Sequence, residues 1–120
     1  MHKREYGDTM DALNSRSCKP CEGGVAAMDL DTAHQLLAQV PQWKINESAD
    51  GISRQFTFKN YYQTMAFVNA LAWIAHREDH HPDIEVGYKH CLVKYSTHAV
   101  NGLSENDFIC AAKIDDLTVD

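Results

Sequence analysis

An α+β fold, with a four-stranded antiparallel sheet carrying helices on one face, is predicted by three observations on this chain. Two pairs of short β-patterned segments are each joined by a tight connection, the first through Asp50-Gly51 and the second through Lys89-His90. Apolar residues recur at helical spacing before, between and after those pairs. The resulting order is α-β-β-α-β-β-α, in which hairpins separated by helices favour an antiparallel sheet.

The elements follow in order. Residues 1–28 show no sustained periodicity and include Gly23-Gly24, so a loosely ordered N-terminal arm is expected there, ahead of a single domain over 29–120. In the first helix Ala33, Leu36, Leu37 and Val40 fall at i, i+3, i+4 and i+7. Asp31 or Thr32 is its expected cap, with Gln35 in capping-box position to Thr32, and Pro41 stops it. Strands are expected at about 43–48 and 52–58. The central helix runs from about Tyr61 to about Asp79, with Asn60 and Gln63 at its start. It carries two apolar stripes: Tyr61, Met65, Val68, Ala72 and Ala75 on one side, Phe67, Leu71 and Ile74 on another. A helix apolar on two sides needs a cover on both, and a second subunit is the economical one. Alternation at Ile84, Val86, Tyr88 and at Cys91, Val93, Tyr95 marks the second strand pair. Ser104 as N-cap, Asp107 in capping-box position and Leu103 stapled to Phe108 start the last helix.

Composition narrows the function. With 120 residues, 44% hydrophobic and 23% charged, the chain suits one soluble domain. A net charge of −6 argues against nucleic acid, which needs a basic face. The polar start Met1-His2-Lys3-Arg4-Glu5-Tyr6 does not read as a signal peptide, and no apolar run reaches the roughly 20 residues of a membrane span. A cytoplasmic protein is the simplest expectation. The cysteines at 18, 21, 91 and 110 are then expected as free thiols. Cys18-Lys19-Pro20-Cys21 has zinc-ligand spacing, but no second CxxC completes four ligands.

The chemistry concentrates in histidine. Four of the seven lie at 76, 80, 81 and 98, within His76-Arg77-Glu78-Asp79-His80-His81-Pro82 and Tyr95-Ser96-Thr97-His98. Imidazole exchanges protons near neutral pH, with an ordinary pKa of about 6.5. His76 and His80 share a helix face if the helix persists that far, whereas Pro82 pushes His81 into extended backbone. The end of the central helix and the end of the last strand can therefore form one cleft. Three histidines there suit either acid–base catalysis or a catalytic zinc, although no HExxH is present.

In order and spacing, His80-His81-Pro82-Asp83-Ile84, Tyr95-Ser96-Thr97-His98 and Gly102-Leu103-Ser104-Glu105-Asn106-Asp107-Phe108 resemble the pterin-4a-carbinolamine dehydratases. The likeness spans about residues 18–115. It includes the Cys18-Lys19-Pro20-Cys21-Glu22-Gly23-Gly24 opening, the Trp43 region and Ala66-Phe67-Val68-Asn69. It implies three helices on one face of the sheet, assembly as a homodimer or tetramer, and no metal or organic cofactor. It also implies dehydration of 4a-hydroxytetrahydrobiopterin, the spent cofactor of aromatic amino acid hydroxylases, to quinonoid dihydropterin. By position, His80, His81 and His98 match the family's three site histidines. His80 and His98 would act as general acids, and His81 would bind substrate and assist as base. Ser96 and Thr97 match a segment whose main chain bonds the pterin, and His76 and Pro82 are carried as substrate-binding. At the position of His76 relatives usually have glutamate, a charge that Glu78 is a candidate to replace. The alternatives under the same resemblance are another pterin, of the molybdopterin kind, or a protein-interaction scaffold.

Overall fold

The computed structural model describes residues 12–20 and 26–117. Three helices pack on one face of a four-stranded antiparallel sheet, as expected. They are α1 (Leu30–Leu37), α2 (Tyr61–Glu78) and α3 (Glu105–Asp115). The strands are β1 (Lys44–Ile45), β2 (Ile52–Thr57), β3 (Asp83–Val86) and β4 (His90–Tyr95), in spatial order β1-β2-β4-β3. The register pairs Ile52 with Tyr95, Arg54 with Val93 and Phe56 with Cys91, and across the other edge Ile84 with Val93. Opposed residues share a face, so one face collects Ile52, Phe56, Ile84, Cys91, Val93 and Tyr95 under the helices. The other face carries Ser53, Gln55, Thr57, Glu85 and Lys94 to solvent, the usual division in an antiparallel sheet.

Each start signal acts where its hydrogen bonds can form. Asn60 caps α2 by accepting from Gln63 N–H at 2.8 Å. The box of Ser104 and Asp107 starts α3, and Leu103 and Phe108 are both buried beside it. For α1 the cap is Asp29, whose carboxylate accepts from Thr32 N–H at 2.8 Å. Thr32 is thus the donor, not the cap, and the helix begins earlier than expected. The first hairpin also differs. β1 is only two residues long because Asn46 turns its side chain back on the loop, accepting from Asp50 and Gly51 N–H at 3.0 and 3.1 Å. The left-handed residue there is Ala49, at φ 60°.

Packing at the N-terminus corrects a further expectation. Residues 12–20 do not form a loosely ordered arm. A 3₁₀ turn at Leu13–Ser15 drops Leu13 into the core at 1% exposure. Lys19 N–H donates to Asn106 Oδ1 at 3.0 Å, and Asn106 Nδ2 returns a bond to Lys19 C=O. Met28 N–H reaches Leu103 C=O at 2.9 Å. Composition hides this because one buried leucine and a few polar clasps leave no periodicity. Residues 1–11 and 21–25 of the expected arm, with Gly23-Gly24 and Cys21, lie outside the described residues.

On α2 the buried line is Thr64, Phe67, Leu71 and Ala75, with Ile74 partly buried beside it, so the second apolar stripe and Ala75 of the first face the core. Of the first, Tyr61 is 50% exposed and Ala72 is also exposed, beside a half-exposed Trp73 and an exposed Tyr88 stacked on Tyr61. No helix among the described residues is long and apolar enough to cross a membrane.

Candidate active site

Two chain breaks build the site. α2 ends at Glu78 because Asp79 adopts the left-handed conformation, φ 52° and ψ 44°. His80 N–H then closes onto Ala75 C=O at 3.1 Å, a helix stop in which aspartate stands where glycine or asparagine is more usual. The helix therefore does not persist to His80, and His76 and His80 do not share a face. The second break follows β4. Thr97 and Gly102 bridge each other, and His98–Val100 form a short 3₁₀ turn ended by a left-handed Asn101. These turns bring His80, His81, Ser96, Thr97 and His98 around one cavity of about 410 Å³. Asp79, Ala99 and Asn106 also line it, and Lys19 and Pro20 of the N-terminal segment form a further wall. His76 and Pro82 do not line it. His76 is exposed on the last turn of α2, its ring 6.0 Å from that of Trp73.

His80 is the most constrained of the three imidazoles. Its ring lies parallel to Tyr95, 5.1 Å between centroids and 11° between planes, and the Tyr95 hydroxyl donates to His80 C=O at 3.1 Å. Its Nε2 sits 2.6 Å from Oδ1 of Asp107, a fully buried carboxylate. The other carboxylate oxygen accepts from Thr97 Oγ1 at 2.9 Å and from Ser104 N–H at 3.0 Å. Burial alone would lower the His80 pKa, but the hydrogen bond and charge of Asp107 outweigh it, and the value is raised. A carboxylate accepts only, so Nε2 carries the proton toward Asp107 and Nδ1 is the nitrogen left for exchange. His81 and His98, by contrast, are exposed at the cavity rim.

Glu78 is committed elsewhere. It accepts from Cys18 N–H at 2.9 Å and lies 3.8 Å from Lys113 Nζ, so it holds the N-terminal segment and is unavailable to replace a carboxylate at His76. Among the described residues no group of three or more histidine, cysteine or acidic side chains is placed to hold a metal ion.

With this geometry in hand, comparison with known proteins identifies the lineage. A profile of the pterin 4 alpha carbinolamine dehydratase family matches residues 26–117. The chain belongs to that family. It is 62% identical over 104 residues to a Nitrosomonas europaea protein provisionally named pterin-4-alpha-carbinolamine dehydratase, covering 86% of this chain and 90% of that one. A Legionella pneumophila protein of the same provisional name is 56% identical over 109 residues, covering 90% and 96%. The fold resembles a transcriptional coactivator/pterin dehydratase from Brucella melitensis, with TM-score 0.71 and 27% identity over 74% of this chain and 95% of that one. It also resembles, at TM-score 0.55 and 25% identity over 62% and 86%, a pterin dehydratase-like protein described as a RuBisCO assembly factor in the α-carboxysome.

Within this family framework, sequence reasoning had reached the three histidines but not their surroundings. Asp79, expected only as the end of the central helix, is exposed, and its left-handed backbone places it in the cavity wall. Asp107 read as a cap only. Lys19, Pro20 and Asn106 stand inside the resembling motifs but had no site role assigned, and the clasp between Lys19 and Asn106 spans 87 residues of chain.

Proposed function

We propose that this chain catalyses dehydration of 4a-hydroxytetrahydrobiopterin to quinonoid dihydropterin and water by histidine acid–base chemistry. It would act in the cytoplasm, recycling the cofactor of an aromatic amino acid hydroxylase. The observation that carries the proposal is the convergence of His80, His81 and His98 on one cavity, with His80 bound to a buried carboxylate. The volume is in the range of small-molecule sites, about 300–1,000 Å³.

The reaction needs a proton on the 4a-hydroxyl as it leaves and removal of the N5 proton. A raised His80 pKa keeps more of that imidazole protonated at neutral pH, which supports a general-acid role through Nδ1. Asp107 fixes the ring and its tautomer, so it is a positioning residue. His98 would serve as the acid from the other side of the ring, and His81 as the group that binds substrate and accepts the N5 proton. Thr97 spends its own N–H and C=O on Gly102 and Val100. The main-chain contacts to a pterin then fall to the flanking Ser96 and His98. His76 and Pro82, outside the cavity wall, would act only through their neighbours. The exposed side of α2, with Tyr61 and Trp73, supports assembly as a homodimer or tetramer.

The test is stopped-flow dehydration of freshly generated 4a-hydroxytetrahydropterin with chelator-treated protein. Acceleration over the spontaneous rate, lost in the double change His80→Ala with His98→Ala, is the expected result. Unchanged activity in that double variant would sink the mechanism. No acceleration by folded wild-type protein would move the reading to another pterin or to a scaffold role.

A further inference from the structure

The sulfur of Cys18 lies 3.5 Å from that of Cys110, in van der Waals contact across 92 residues of chain. Cys110 is fully buried on α3, while Cys18 is only partly covered and reachable from solvent. Neither thiol enters the proposed dehydration. Their surroundings are nonetheless specific. The Cys18 N–H is held by the Glu78 carboxylate, and the next residue, Lys19, is clasped by Asn106 from α3. Lys19 and Pro20 then form the wall of the histidine cavity. A covalent bond at Cys18 would therefore fasten the segment that closes one side of that cavity.

We propose that Cys18 and Cys110 form a reversible disulfide, made by exchange with a low-molecular-weight disulfide, that pins the N-terminal wall of the cavity to α3. The exposed partner reacts first. The Cys18 sulfur attacks the small disulfide, forming a mixed disulfide and releasing one small thiol, which takes the Cys18 proton. The Cys110 sulfur then attacks the Cys18 sulfur, closing the internal bond and releasing the second small thiol with the Cys110 proton. Two protein thiols lose two electrons in total, and one small disulfide becomes two thiols. Closing from 3.5 Å to a bond of about 2 Å asks for side-chain rotation of one short residue on a segment without regular secondary structure.

Access rather than acidity sets this order, because Cys110 is buried and Cys18 is not. The neighbouring Cys110 and burial push the Cys18 thiol up, so the first step is slow. In the reduced protein the Cys18 thiol holds Cys110 below its ordinary value; the Tyr95 hydroxyl and the His80 charge also lower it, and these two remain beside it for the second attack.

The experiment incubates the full-length protein with glutathione disulfide, followed by alkylation, unreduced digestion and mass mapping, alongside thermal melts. The expected product is a peptide pair joined through Cys18 and Cys110. A rise in Tm of on the order of 10 °C should accompany it, reversed by dithiothreitol and absent in Cys18→Ala. Amide exchange at Lys19, read by mass spectrometry or NMR, should slow at least about tenfold on oxidation. Cys21 lies three residues beyond Cys18, so a Cys18–Cys21 bond is the competing product, and its predominance would overturn the proposal. A reaction that stops at the mixed disulfide on Cys18 would overturn it as well. None of these readouts depends on pterin chemistry.

Discussion

Asp107→Asn separates the two tasks of one carboxylate. The substitution keeps the shape of the side chain and removes its charge in a position with no solvent exposure. Asp107 accepts three hydrogen bonds, from His80 at 2.6 Å, Thr97 at 2.9 Å and Ser104 N–H at 3.0 Å. An amide has one acceptor oxygen, so either His80 or the cap of α3 must face an N–H₂ group instead. Losing a hydrogen bond to a charged group costs about 1.5–3 kcal/mol, and a buried unpaired donor about 1–3 kcal/mol. The two overlap, which leaves a loss of roughly 3 kcal/mol, or on the order of 10 °C in Tm for a domain of this size. The pH dependence is the sharper test. The folded His80 pKa is raised, so its stabilisation is complete below the unfolded value of about 6.5 and is lost as pH rises through the folded value. Asp107→Asn removes that contribution, and the stability gap between the two proteins should be wider at pH 6 than at pH 9. Urea unfolding at both pH values measures the gap, and an NMR titration of the His80 ring should show its pKa falling. An equal gap at both pH values, or an unchanged His80 titration, would refute the coupling.

Three further outcomes are expected. Leu13→Ala should cost about 2–5 kcal/mol in urea unfolding, the range for a fully buried leucine, whereas a residue of a loose arm would cost almost nothing. Trp43→Phe should cost about 1–3 kcal/mol, read in the same assay. It removes the indole N–H that donates to Asp115 at 2.8 Å, leaving that carboxylate, among the described residues, to Arg54. His81→Ala should slow dehydration by roughly 10²–10⁴ with little change in Tm, since the side chain is exposed; a large loss of stability would instead make it structural.

The fold was legible because its signals are local. Alternation at Cys91, Val93 and Tyr95 and the helical line Phe67, Leu71 and Ile74 need no long-range information, and the sheet that buries them follows from their order. Errors arose where a polar side chain had two possible partners. Asp29, Asp31 and Thr32 can all begin a helix, and only the packed chain selects the carboxylate that meets a free N–H. Asn46 shortened β1 in the same way, by offering loop amides an acceptor that strand pairing would have denied them.

Asp107 shows why the site was harder to read than the fold. In sequence it stands three residues after Ser104, and a capping box accounts for it without remainder. In the structure that account uses only Oδ2, on Ser104 N–H and Thr97, while Oδ1 is taken by an imidazole 27 residues away. A cap at solvent needs no burial, and glutamate or glutamine would serve the box as well. Complete burial of a charged cap is the physical sign that a second, charged partner exists, because a carboxylate withdrawn from water must recover its solvation from donors. Burial is a property of the packed chain, so the signal that ties the start of α3 to the histidine cavity appears only there. The same logic applies to Glu78, a charge at a helix end in sequence and a buried anchor for Cys18 in the fold. Asp107 ties His80 directly to α3, whereas Glu78 ties the end of α2 to the N-terminal segment whose Lys19 and Pro20 wall the cavity. A change at Asp107 should therefore be felt at His80, and a change at Glu78 at that wall.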